Sequence, residues 1–255
     1  MAGSVRDLPA PWRDEPYLVM CHGRSTVAVA WHDDDALVVL LEGSGRDPGV
    51  IGVGDADAVG RLLDGAVTAL GPARWATLPR GSWEAAADGT RAAFPGWEAA
   101  NSWDCMWTDR PLVGISDHAV ERLPAGVERV DAEIAEALDR AHPTASTRPG
   151  DPRLEGWWAV REEGRLVAVV GAIRFAPGLA PHLVSLGVDP AHRGRGLAGA
   201  VLAAAVSDGL LAPTLVGPPM VGLGLYAAND VARQVYVRHG FVLGHRFDSR
   251  PAHRD

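Results

Sequence analysis

The chain contains no lysine: all 24 of its basic residues are arginine. A lysine Schiff base, a P-loop lysine and lysine self-acetylation are therefore excluded. With abundant Ala and Gly, this is the usage of a GC-rich genome rather than a device of the protein. Cysteine is nearly as scarce. Cys21 and Cys105 are far apart and form no CxxC pair, so zinc binding and dithiol redox chemistry have no support, and no metal is expected. Long apolar runs are missing too. The longest, Leu197–Val206, falls well short of the roughly 20 residues of a membrane span. The segment from Met1 to Pro16 is polar and has no apolar core, which argues against a signal peptide. The expectation is a soluble, cytoplasmic protein with no membrane partner.

Excess positive charge is also lacking. The formal net charge is −8, which disfavours a nucleic-acid partner, because phosphate binding needs clustered cations. An acidic chain favours cationic substrates such as amines, though only weakly. What is present is core material: 47% of the 255 residues are hydrophobic, enough for one large domain or two small ones.

In the first half, the apolar runs Ser25–Trp31 and Ala36–Leu41 flank a polar turn and predict a hairpin. Val50–Val53 predicts a strand, and Asp55–Leu70 carries apolar residues at helical spacing. Arg74–Leu78 and Trp103–Thr108 predict further strands. Trp103, Cys105 and Trp107 share one side of the latter, an arrangement read as core in preference to an aromatic substrate wall. Pro and Gly between Arg110 and Val127 mark a connection, so the division is drawn as residues 1–120 and 121–255.

The second half is more regular. A helix capped by Asp131 runs to Arg140, then a hairpin of Trp157–Arg161 with Leu166–Phe175 follows. After it come a strand at His182–Val188, a helix at Gly194–Ser207, a strand at Val221–Tyr226, a helix at Asp230–His239 and a strand at Phe241–Phe247. Antiparallel strands leading into a strand–helix–strand crossover imply an α/β fold with a mixed sheet.

One junction carries chemistry. The strand ending at Val188 leads through Pro190 to Gly194 and Gly196, which open into an Ala-rich helix. The first turn of a helix has unpaired N–H groups and a partial positive charge, and a loop of small residues lets an anion approach them. Arg193 and Arg195 add charge there. Taken alone, the turn is equally a structural corner or another kind of nucleotide site. It is not a P-loop, and Gly-x-Gly-x-x-Gly is not matched.

The pattern Arg193-x-x-Gly196-x-Ala198 resembles the signature of the GNAT acetyltransferase superfamily. A second segment is similar to that family's next motif: Asn229, Ala232 and Tyr236 at spacings of three and four, then Gly240-Phe241. That spacing puts the three side chains on one helix face. The resemblance covers about 120 residues, roughly Val130 to Phe247, and implies a GNAT fold there. It implies that Leu186, Gly187 and Val188 offer backbone to the pantetheine arm and thioester of acetyl-CoA or another acyl-CoA. Arg193, Gly194, Arg195, Gly196, Leu197 and Ala198 would bind the pyrophosphate, and Asn229 and Ala232 would line the cofactor. Tyr236 would protonate the departing thiolate after direct attack by an amine.

The family's usual carboxylate base has no match on the strand before Asp189, whose polar side chains are His182 and Ser185. His182 is read as a surface residue at a strand end, and Glu155 is the carboxylate candidate for the base. The expected function is N-acyl transfer to a small-molecule or amino-acid-like amine, in a layout similar to glycine acyltransferases. A non-catalytic acyl-CoA sensor or scaffold is the alternative, and a homodimer is left open. The first half is compatible with a degenerate second copy of the fold. Its own turn, Gly52–Ala56, lacks the arginine–glycine pattern and is not expected to bind CoA.

Overall fold

The structure, a computed structural model, describes residues 3–43, 46–71, 73–113 and 117–251. In chain order the strands and α-helices are β1 (Gly3–Ser4), β2 (Thr26–His32), β3 (Ala36–Gly43), β4 (Arg46–Gly54), α1 (Ala56–Leu70), β5 (Trp75–Pro79), α2 (Ser82–Ala85), α3 (Asp88–Ala92) and β6 (Asn101–Thr108). They continue with β7 (Glu121–Leu123), α4 (Glu128–Ala141), β8 (Leu154–Glu162), β9 (Arg165–Ile173), β10 (His182–Val188), α5 (Leu197–Leu211), β11 (Val221–Tyr226), α6 (Asp230–His239) and β12 (Val242–Pro251). The runs read from the sequence as strands and helices reappear as such, and the sheet is mixed. Within the connection read between Arg110 and Val127, residues 114–116 lie outside the described residues.

The chain divides into two units. The first is Met1–Cys105 with Leu225–Ala228 and Gly244–Asp255; the second is Met106–Gly224 with Asn229–Leu243. This differs from the sequence division at 120/121 in where the chain parts and in where it ends. The end of the chain belongs to the first unit because β12 pairs antiparallel with β5, from Phe247 opposite Pro79 to Pro251 opposite Trp75.

In the first unit β2, β3 and β4 pair antiparallel, and β4 crosses over through α1 to a parallel β5. Asp55 caps α1 by accepting from the Ala58 N–H. Leu63, Ala66 and Leu70 of α1 bury against Val38, Leu40, Val50 and Leu78 of the sheet.

The second unit repeats that order. β8, β9 and β10 pair antiparallel, and β10 crosses over through α5 to a parallel β11. α4 buries Val130, Ile134 and Leu138 against Trp157, Ala159, Leu166 and Val169. It starts at Glu128, one turn before the predicted cap. Asp131 therefore lies inside the helix, and its carboxylate instead accepts the N–H of Gly126 in the entering turn. α5 is apolar on nearly every face and packs on β8, β9 and β10. It starts at Leu197 rather than Gly194, because Gly196 has φ +81° and cannot be a helical residue.

Candidate active site

The site is built around β10. It pairs with β11 only at His182 and Leu183, opposite Gly222 and Leu223. From Val184 to Val188 its backbone has no partner on that side among the described residues, so the strands part over about 13 Å at ~3.3 Å per residue. On its other side, the register with β9 shifts between Val184 and Gly187. Ser185 sits in that bulge with φ +55°, a left-handed conformation rare for serine. Its Oγ donates to the Thr147 carbonyl at 2.5 Å, which ties the loop after α4 to the bulge. Gly187 faces α4: a Cβ there would lie 3.0 Å from Ala141 Cβ. Leu186, Gly187 and Val188 thus lie along the open stretch.

Beyond Val188 the chain turns at Asp189. Its side chain accepts from the Ala191 N–H and contacts Arg165, Arg140 and His192. The Ala191 N–H, then the neighbouring His192 and the charge of Arg165, hold this carboxyl below its ordinary range. Gly194 and Gly196 follow with φ +77° and +81°. A Cβ at 194 would meet nothing within 4 Å, so glycine is needed there for its backbone freedom rather than for space. Among the described residues nothing accepts from the N–H groups of Arg193, Gly194, Arg195, Leu197 or Ala198. No side chain caps α5. The turn is thus a run of outward N–H donors at the positive end of a helix.

The two arginines differ. Arg195 is held by Glu162 through two hydrogen bonds of 2.9 and 2.8 Å, and its carbonyl accepts from His118. Arg193 is exposed and, among the described residues, makes only long contacts, to the carbonyls of Val188 at 3.3 Å and Ala141 at 3.4 Å.

α6 brings the second motif. Asn229 caps it by accepting from the Ala232 N–H at 3.1 Å, and Gly240 ends it with φ +106°. Ala232 is half-buried. Tyr236 and His239, three residues apart, are its two buried side chains and face inward together. His239 packs on the first turn of α5, where a Cβ at Gly199 would lie 2.7 Å from its ring. Tyr236 stands one helical turn from that contact, edge-on to Phe241 at 5.6 Å. Its hydroxyl has no hydrogen-bond partner among the described residues. Burial pushes the phenol up to about 12, so it keeps its proton at neutral pH.

Two sequence candidates stand elsewhere than expected. Glu155 is bound to Arg174 Nε at 2.6 Å. It lines a cleft of about 390 Å³ with Trp158, Ala172 and the α5 residues Ala205 and Asp208. That cleft is on the α5 side of the sheet, whereas Gly187 faces α4. His182, read from the sequence as a surface residue, is buried with 8% exposure. The row Leu154–Ile173–His182 runs directly across β8, β9 and β10, and Leu154 packs against the α4 cluster, so His182 shares that face. Sequence reasoning missed its burial because a strand-end position carries no sign of the loop that covers it.

Among the described residues there is no helix long and apolar enough to cross a membrane, and no cluster of His, Cys, Asp and Glu able to hold a metal. Residues 127–241 match the profile of the acetyltransferase (GNAT) family. Solved structures with a similar fold include a GNAT-family protein from Novosphingobium aromaticivorans, 18% identical, with a TM-score of 0.50 over 88% of this chain and 92% of that one. A GCN5-related N-acetyltransferase from Sphaerobacter thermophilus is 17% identical, with a TM-score of 0.50 over 87% and 82%. No match was found among curated proteins. The match spans the glycine turn, the parted strands and the Tyr236 helix alike: residues 127–241 of this chain are a GNAT acetyltransferase domain, an acyltransferase by family.

Proposed function

We propose that the domain moves an acetyl or other acyl group from acyl-CoA to the amine of a small-molecule or amino-acid-like acceptor by direct attack. The observation that carries this reading is the continuity of the open backbone of β10 with the uncapped turn at the head of α5. The diphosphate sits on the N–H groups of residues 193–198, with Arg193 as the mobile cation. The pantetheine arm runs along Leu186, Gly187 and Val188 in place of the missing strand partner, and Asn229 and Ala232 flank it. The thioester supplies an activated carbonyl to the amine.

Tyr236 donates a hydrogen bond to the departing sulfur. Burial pushes its phenol up to about 12, so Tyr236 stays protonated and is a hydrogen-bond donor to that sulfur. Glu155 is not part of this reading, because Arg174 holds it on the other face.

The first unit is a degenerate copy of the same fold that does not bind CoA. Its strand order and crossover match those of the second unit. At the head of its helix, however, the Asp55 carboxylate already takes the Ala58 N–H and places a negative charge where an anion would sit.

The test is a thiol-release assay on the full chain with acetyl-CoA and a panel of primary amines, alongside calorimetry with CoA. Amine-dependent release is the expected result. Tight CoA binding with no release across the panel replaces the enzyme with a sensor. Undiminished CoA binding by Gly196→Asp, which puts bulk and negative charge in the turn, removes the cradle.

A further inference from the structure

His182 is a buried imidazole with no hydrogen bond. Among the described residues neither ring nitrogen has a partner, and Nδ1 is sealed from solvent. The ring lies edge-on to Phe175 at 4.9 Å. Burial, helped by the charge of nearby Arg153, brings its pKa down to about 4, so it is neutral at physiological pH. A buried polar group left unpaired costs about 1–3 kcal/mol, and such groups in native structures are few. A Phe or Leu beside Phe175 would fill the same space without that cost. The nitrogen is therefore accounted for by a partner that comes and goes.

Its position says which partner. His182 and Leu183 are the residues of β10 paired with β11, so the ring stands one pair back from the point where those strands part. It shares the α4 face with Gly187 and with the loop tied to Ser185 through Thr147. Beside Gly187 stands His142, whose ring Nδ1 is likewise buried without a partner among the described residues; it is the rival imidazole, while the side chains of Ser185 and Asp189 are engaged. Ser185 donates to Thr147, and Asp189 is held by Arg165 and Arg140 at the far end. Glu155 is on the opposite face. The charged groups beside His182 are Arg153 and its partner Asp151, bound to each other at 2.6 Å.

We propose that His182 is the base that takes the proton from the acceptor amine. The proposal rests on the acyl-transfer reading above. The amine nitrogen attacks the thioester carbonyl carbon and forms the C–N bond. Its proton passes to an imidazole nitrogen of His182, the C–S bond breaks, and the sulfur leaves as a thiolate hydrogen-bonded by Tyr236. His182 then returns its proton to solvent, and the thiolate takes one from water.

The experiment uses the full chain with acetyl-CoA and a primary amine that wild type turns over. His182→Gln keeps the acetyl-CoA Kd measured by calorimetry and loses about 10²-fold or more in kcat, the scale of a general base. His182→Ala, whose vacated space admits free imidazole, regains part of the rate when imidazole is added. Wild-type kcat in His182→Gln overturns the proposal. So does a kcat loss without imidazole rescue, or one accompanied by weaker acetyl-CoA binding, since either marks a structural role. A wild type that binds no acetyl-CoA, or releases no thiol with any amine, sinks the acyl-transfer reading itself, and the proposal with it.

Discussion

The ring of His239 on α6 fills the space beside Gly199 on α5, so that a Cβ at 199 would lie 2.7 Å from Cε1 and 2.8 Å from Nε2. The ring is fixed from its other side, where Nδ1 donates to the Val113 carbonyl at 2.9 Å and the Val113 N–H donates to the His239 carbonyl. This contact sets α6, and with it Tyr236, against the head of α5. Alanine at 199 would gain about 1 kcal/mol of helix propensity, but overpacking costs about 1–3 kcal/mol. Gly199→Ala is therefore expected to lower stability by about 1 kcal/mol in urea denaturation, and to lower kcat more than it raises the KM for acetyl-CoA. A stabilised variant with unchanged kcat would mean that the ring moves aside freely.

Tyr236→Phe removes only the donor. Its buried ring packing against Phe241 remains. The expected outcome is a fall in kcat of ten- to a thousand-fold with an unchanged CoA Kd, read by steady-state kinetics and calorimetry. Equal kcat would take the hydroxyl out of the reaction.

The two arginines of the turn should differ in weight. Arg195 is neutralised by Glu162, whereas Arg193 has, among the described residues, only carbonyl contacts and can swing to an anion. Arg193→Ala is expected to weaken CoA binding about tenfold, and more at low salt, because an exposed cation acts through a screened field. Arg195→Ala is expected to change it less. The reverse order in calorimetry at two ionic strengths would contradict this assignment.

His182 also predicts a pH dependence of stability. Its folded pKa of about 4 lies below the ordinary value of 6.5, so the unfolded chain binds the proton first as pH falls. Stability from this group is complete above pH 6.5 and is lost between 6.5 and 4, by about 3 kcal/mol in all at ~1.4 kcal/mol per unit. His182→Phe should flatten that part of the stability–pH curve measured by thermal melts. A curve equally steep in the variant would place the titration elsewhere.

The helix heads show how a sequence can be read and where reading stops. At α1 an Asp precedes the apolar run, and the carboxylate caps the helix; at α5 a Gly stands in the same place, and nothing caps it. Both follow from local chemistry, as do the hairpins and the Asn229 cap. The bulge at Ser185 has no such signal, since Leu183-Val184-Ser185-Leu186 reads as part of an ordinary buried strand. Its left-handed backbone goes with a hydroxyl bound to Thr147, in a loop 38 residues away in sequence. The pairing of Glu155 and the burial of His182 were illegible for the same reason. One carboxylate was claimed by an arginine 19 residues away, and one strand end was covered by a ring from a neighbouring loop.

The sequence by itself determined the periodic elements, the crossover, and the glycine and asparagine positions that shape the two helix heads. These depend on backbone preferences and hydrogen bonds spanning a few residues. Only the tertiary structure decided that β10 parts from β11, that His182 is buried without a partner, that Glu162 holds Arg195, and that the end of the chain returns to β5. Each of these joins residues distant in sequence through packing or charge, and a local pattern carries no information about which distant group will arrive.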